Sequence, residues 1–263
     1  MANRDDALAL VDDFESSART GMWSGIRKAD VVKGLRERIN NSSLVNQAGS
    51  LLCGPAVFTY ELATDDPVAY AKAVIDLFTG GTAVIGTMLL KPKTDLIFNP
   101  FTGGVDPTDW VMMASLRDSS NWFFDMEGVD DYVGAATIPS TMVSWLETVG
   151  FSKVINQTNL WYAKDASNLI RASSYLTQEY RVFLFVNSAM VHSNTQTNLS
   201  LAPDHWIMLL TPVEVYGAGL MQQTVSFYAY SWGKDRKIPE DANKPLRLWD
   251  LLQNYYGFIA FKH

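Results

Sequence analysis

One cysteine and three histidines are all that this 263-residue chain offers among the side chains that most often cross-link or bind transition metals. A lone thiol, Cys53, rules out an internal disulfide framework, and a zinc ribbon needs two to four thiolates. His192, His205 and His263 show neither HExxH nor HxH spacing, so no His-paired metal centre is expected and no cofactor is implied. Basic residues are also short: 21 Lys and Arg stand against 28 Asp and Glu, a net charge of −7. Nucleic-acid affinity comes largely from cations displacing counterions, so nucleic acid is not an expected partner. Long apolar runs are missing too. The longest, Thr82 to Leu90, stops at Lys91 after nine residues, where a bilayer span takes about 20, and no membrane span is expected. Met1 to Phe14 carries Asp5, Asp6, Asp12 and Asp13 where a Sec signal has a basic region and then an apolar one, so no such signal is expected.

What the chain has is 48% apolar residues, enough for a full-sized core, in two successive patterns. Helical spacing dominates first. Asp5 to Ser17 and Lys28 to Ile39 read as amphipathic helices, the second with Val31, Val32, Leu35 and Ile39 on one face and Asp30 as a candidate cap. Leu51 to Phe58 leads into an apolar helix through Tyr60 and Leu62, with Cys53 at its start. Asp65-Asp66-Pro67 opens a helix that carries Val68 to Phe78 and ends at Gly80-Gly81. Asp106-Pro107-Thr108 and Pro139-Ser140-Thr141 open two more, and Ala163 to Leu176 is a last candidate. The period then changes: Tyr180 to Val186, Trp206 to Val215 and Val225 to Trp232 are β-branched and aromatic, separated by polar loops. Helices first and strands after, without βαβ alternation, indicate an α+β architecture. The shift between Asn156 and Tyr180 is the expected boundary between two lobes of one unit.

Free cysteines are usually small buried hydrophobes. The position of Cys53 argues for more, because a thiol at a helix N-terminus faces unpaired backbone N–H groups and the positive end of the macrodipole, which favours thiolate. Gly54 beside it lets a substrate backbone approach. A thiolate attacking a carbonyl needs a general base and a donor for the oxyanion. Gln47, six residues before Cys53, is placed to aim its amide N–H at the same point. His205 follows Asp204 at the mouth of the apolar strand Trp206 to Leu210, a site position rather than a core position. His192 and the terminal His263 lack such settings.

Gln47, then Cys53, then Asp204-His205 at a strand start, then Tyr230-Ser231-Trp232-Gly233 ending a strand: this order resembles the papain-like cysteine peptidases. The resemblance spans Gln47 to Gly233 through short islands rather than continuous similarity. It implies a two-lobed fold in a single unit, with a helical lobe carrying the nucleophile over about 47–160 and an antiparallel β-rich lobe carrying the histidine over about 161–263. Residues 1–46 would be an N-terminal helical extension. Cys53 is then the nucleophile, His205 its base, Gln47 an oxyanion donor, and Trp232 a shield beside the histidine and the cleft. Thr102-Gly103-Gly104 is similar to the glycine pair that lines the family's substrate cleft, with Gly80-Gly81 as the competing pair. Two departures stand out. The usual Cys-Gly-Ser-Cys-Trp context is replaced by Ser50-Leu51-Leu52-Cys53-Gly54, and the Asn that orients the histidine is replaced by Tyr230. Tyr230, Ser231 and Asn198 are alternative orienting groups, and a degenerate site is the third outcome.

The expected activity is thiol hydrolysis of a peptide or amide bond, with deamidation or transglutaminase-type acyl transfer, or binding by a catalytically degenerate papain fold, as alternatives. The expected partners are a peptide or protein substrate and an inhibitory or immunity protein. The expected setting is the cytoplasm, or export by a route that needs no signal peptide, as for a secreted effector or toxin.

Overall fold

The computed structural model describes residues 2–99, 101, 103–121, 137–192, 203–219 and 222–262. The chain groups into two compact units, Met1–Met126 with Trp232–Lys234, and Glu127–Ser231 with Asp235–His263. Helices and antiparallel sheet make the architecture α+β.

The first unit holds α1 (Ala2–Ser16), α2 (Lys28–Asn40), α3 (Cys53–Asp65), α4 (Pro67–Gly80), the hairpin β1 (Ala83–Ile85) and β2 (Met88–Leu90), α5 (Thr94–Phe98) and α6 (Pro107–Asn121). Its centre is α3, in which every residue from Cys53 to Ala63 is buried. A helix buried all round has no solvent face to offer, and this one, mostly apolar but with Thr59 and Glu61 also buried, packs on α2, α4 and α6. The next helix shows how locally its ends are written. Asp66 accepts the Ala69 N–H, Pro67 occupies the first turn, and Gly81 closes the helix in the left-handed conformation at φ +68°. Gly80-Gly81 is therefore a helix stop. In α2 the expected cap is corrected: Arg27 holds the cap position, and Asp30 lies inside the first turn, accepting from Arg27 Nε and Nη2 at 2.7 Å. α2 and α6 are tied by a buried charge pair, Arg38 with Asp109.

The second unit contains α7 (Pro139–Thr148), β3 (Ser152–Asn156), α8 (Ala166–Leu176), β4 (Arg181–Val186), α9 (Ala189–His192), β5 (His205–Leu209), β6 (Glu214–Tyr216), β7 (Thr224–Ser231), β8 (Lys234–Ile238), β9 (Leu246–Arg247), α10 (Leu248–Gln253) and β10 (Tyr255–Lys262). The strands form one sheet in the order β3-β10-β4-β5-β7-β6, with β8 and β9 also paired to β7. The three inner strands β10, β4 and β5 are buried on both faces almost throughout. Three boundaries differ from the sequence expectation. The run Trp206 to Val215 is two strands, because the Thr211-Pro212 pair separates them and proline cannot donate to a ladder. The helix expected from Ala163 starts at Ala166, where Asp165 accepts the Asn168 N–H and sets the cap. The compositional shift between Asn156 and Tyr180 falls inside this unit.

Candidate active site

Cys53 is the first residue of α3 and is 4% exposed. Leu52 at the cap position supplies no side-chain hydrogen bond, and Pro55 carries no N–H, so the first turn lacks the usual serine or aspartate cap. The approach to the cysteine is a tight turn. Gln47 O accepts from Ser50 N at 3.1 Å and from Ser50 Oγ at 2.6 Å, and Ala48 inside the turn has φ +52°. Gln47 itself is buried, and its Oε1 has no hydrogen-bond partner among the described residues.

The turn is anchored from behind. Asn46 Oδ1 accepts the Ala48 N–H at 2.8 Å, and the Asn46 N–H donates to Asp109 Oδ2 at 2.9 Å. Arg38 grips the same carboxylate twice, Nε to Oδ1 at 2.9 Å and Nη2 to Oδ2 at 2.8 Å. Burial pushes the Asp109 carboxyl up to about 6, with Arg38 and the Asn46 N–H pulling the other way. For Arg38, burial works against the charge, yet the bonds and charge of Asp109 outweigh it and hold the guanidinium above its ordinary range. Gly233, grouped with this unit, has φ +74°, and a Cβ there would stand 2.6 Å from Asn46 Cγ. Only glycine fits that turn against Asn46.

A cleft of about 490 Å³ opens beside the same turn. Gly49 and Ser50 form one wall, and Gly103 and Gly104 another, at φ +86° and +91° with open space where their side chains would be. Phe101 and Trp110, whose rings lie 5.9 Å apart, add an aromatic side together with Leu96. The glycine pair expected to line a cleft thus lies on a cleft, next to the Gln47 to Cys53 loop; Trp232 is not part of its lining. Thr102 lies outside the described residues.

In the second unit His205 opens β5, opposite Val186 of β4, and is 3% exposed. Asp204 fixes the start of the strand: its N–H donates to Val186 O at 3.2 Å, and its carboxylate accepts from Ser188 N at 2.6 Å and Ser188 Oγ at 2.8 Å. The imidazole Nε2 lies 2.8 Å from Ser231 Oγ, and Ser231 is buried. Strand register accounts for this choice of partner. β5 pairs Met208 with Tyr230 and Leu209 with Ala229. Alternation then places His205, Leu209, Ala229 and Ser231 on one face, and Met208 and Tyr230 on the other. Of the adjacent pair Tyr230-Ser231, both expected as alternatives beside the histidine, the serine is the one whose hydroxyl lies within hydrogen-bond distance of the imidazole Nε2. A serine hydroxyl donates to, or accepts from, the ring nitrogen according to the tautomer. Arg236 in turn holds the Ser231 carbonyl, Nη2 to O at 3.0 Å. Asn198 lies outside the described residues.

Asp109, Arg38 and Asn46 are not evident as site residues from local motifs. Arg38 did leave a signal: it interrupts the apolar stripe of Leu35 and Ile39, and a charge on a core stripe needs a buried partner. Among the described residues no cluster of three or more His, Cys, Asp or Glu side chains is arranged to hold a metal ion, and no helix is long and apolar enough to cross a membrane. No family model, curated protein or solved structure matches the chain.

Proposed function

We propose that the chain is a papain-like thiol hydrolase that cleaves a peptide or amide bond through an acyl-enzyme. Cys53 Sγ attacks the carbonyl carbon after its proton passes to His205. The oxyanion is held by the Gln47 amide and the backbone N–H of Cys53. The imidazolium returns the proton to the leaving amine, and water, deprotonated by the same imidazole, releases the acyl group. Ser231 keeps Nε2 engaged, so Nδ1 is the ring nitrogen that exchanges the proton.

The observation that carries this proposal is the cleft at the approach to Cys53, walled by Gly49-Ser50 and by the bare backbone of Gly103-Gly104. Two glycines with left-handed backbone and no side-chain neighbours present peptide N–H and C=O groups to an extended substrate, which suits a peptide more than a compact metabolite. The aromatic side, Phe101 and Trp110, suits an apolar substrate side chain. Near-complete burial of both Cys53 and His205 favours a second reading, a papain-like scaffold that binds peptide without turning it over. In the hydrolase reading the substrate is a peptide or protein, and export as an effector or toxin with a dedicated inhibitory or immunity protein would restrain it.

Alkylation by iodoacetamide between pH 5.5 and 8 separates the two readings, since Cys53 is the sole thiol. A free thiol with a pKa near 8.5 is about one thousandth thiolate at pH 5.5, and its rate climbs about tenfold per pH unit. The hydrolase reading expects a nearly flat profile that becomes steep in His205→Ala. A wild-type profile as steep as that of free cysteine defeats it.

A further inference from the structure

The buried charge pair Arg38 and Asp109 has no place in thiol chemistry, yet its bonds end one residue from Gln47. Arg38 on α2 holds the Asp109 carboxylate of α6 through two bonds. Asp109 Oδ2 takes the Asn46 N–H, and Asn46 Oδ1 takes the Ala48 N–H. Gln47 lies between those two amides, so its backbone is pinned on both sides. The pins compensate for a cost: Ala48 sits at φ +52°, a left-handed conformation that a non-glycine residue adopts at a penalty. Ser50 closes the turn on the Gln47 carbonyl. A charged pair in a core, at 5% and 0% side-chain exposure, is costly unless it has fixed partners. Here the carboxylate has an outlet besides the guanidinium, a backbone N–H of the loop ahead of Cys53.

We propose that Arg38, Asp109 and Asn46 act as positioning residues that lock the Gln47 turn and aim the Gln47 side chain at the oxyanion formed on the Cys53 adduct. The inference rests on the thiol-hydrolase reading and deepens it: the oxyanion donor is pre-organised by groups outside its own loop, on α6 and α2. Pre-organisation of this kind matters because a misplacement of about 1 Å costs about a hundredfold in rate, and loss of one oxyanion donor costs about 10² to 10³ in turnover.

The test uses two reagents on the full chain. Acylation by p-nitrophenyl acetate, read as the burst of p-nitrophenolate, passes through an oxyanion. Displacement of iodide from iodoacetamide by Cys53 does not. Asn46→Ala breaks the link nearest to Gln47 without touching the buried charges, so it keeps the fold where Asp109→Asn puts it at risk. The expected result is acylation slowed about 10- to 100-fold in Asn46→Ala, with alkylation of Cys53 changed less than twofold. Asn46→Asp, which keeps the acceptor for the Ala48 N–H, recovers most of the lost rate. In a Gln47→Ala background, Asn46→Ala adds little, because the group it positions is gone. Hydrogen exchange at the Ala48 and Ser50 amides rises in Asn46→Ala independently of any reaction. Fast alkylation of wild type together with unchanged acylation in Asn46→Ala, or losses that add fully to those of Gln47→Ala, overturns the inference alone. Wild-type Cys53 that alkylates no faster than free cysteine at pH 5.5 overturns the hydrolase reading and the inference with it.

Discussion

Removing one partner of the Arg38 and Asp109 pair leaves the other charged and buried, and the structure sets how much that costs. Asp109→Leu strands Arg38, whose side chain is 5% exposed, but Glu37 at 3.2 Å and Asp106 at 3.5 Å still face it. Breaking a buried pair from one side costs about 3–5 kcal/mol, and the two acidic neighbours place this case at the lower end. The Asn46 N–H loses its acceptor as well, about 1 kcal/mol more. Arg38→Met strands Asp109, which escapes by taking up a proton, and the cost there is about 3 kcal/mol at neutral pH. The double variant Arg38→Met/Asp109→Leu replaces both charges with apolar groups of similar bulk and loses no more than about 2 kcal/mol. With a urea slope of about 2 kcal/mol/M, Asp109→Leu lowers the midpoint by about 2 M, and the double variant by no more than about 1 M. Tryptophan fluorescence follows the transition, with Trp110 next in sequence to Asp109. Asp109 also sets a pH dependence. Its folded pKa, about 6, lies above the ordinary value of 3.8, so its contribution is fully present below pH 3.8 and is lost as pH rises through about 6. Removal of Arg38 raises that pKa further, so the deficit of Arg38→Met against wild type widens above about pH 6. Single variants that each cost under about 1 kcal/mol, or a double variant equal to their sum, would falsify the account of a coupled buried pair.

Ser231→Ala removes the hydroxyl on His205 Nε2 and is expected to lower turnover about tenfold or more and to shift the pH profile of Cys53 alkylation, whereas Tyr230→Phe, on the other face of β7, changes both less. Equal losses in the two variants contradict the strand register as the reason for the choice of partner. Trp110→Ala opens the aromatic side of the cleft, and peptides with an aromatic or aliphatic side chain near the scissile bond are expected to lose about 10-fold or more in kcat/KM relative to peptides with a polar one. A uniform loss across substrates places the specificity elsewhere.

The parts of the fold legible in the sequence are those whose signals are local. Asp66-Pro67 and Gly81 bracket α4 within one chain segment, and the mostly apolar run from Leu51 to Phe58 announces a buried helix at α3. β10 gave no such signal, because it is buried on both faces and carries Gly257 at φ +108°, so it shows neither alternation nor a continuous β-branched run. β3 is a short edge strand with no buried residue to mark it. The site divides in the same way. Cys53 at a helix start, Gln47 in the turn before it and the Gly103-Gly104 pair are local features. Ser231 against Tyr230 depends on register with β5, and Arg38 against Asp109 joins residues 71 positions apart, so neither choice is written in any short window.

The turn Trp232–Lys234 groups with the first unit while the chain on either side of it groups with the second. The first unit is therefore not a contiguous stretch of gene, and separating the two would take cuts at 126/127, 231/232 and 234/235. A fragment ending at Met126 would lack Gly233, the residue packed on Asn46. For anyone building split versions, a fragment meant to hold the whole first unit has to carry Trp232, Gly233 and Lys234 as well, joined to it or supplied on a second segment.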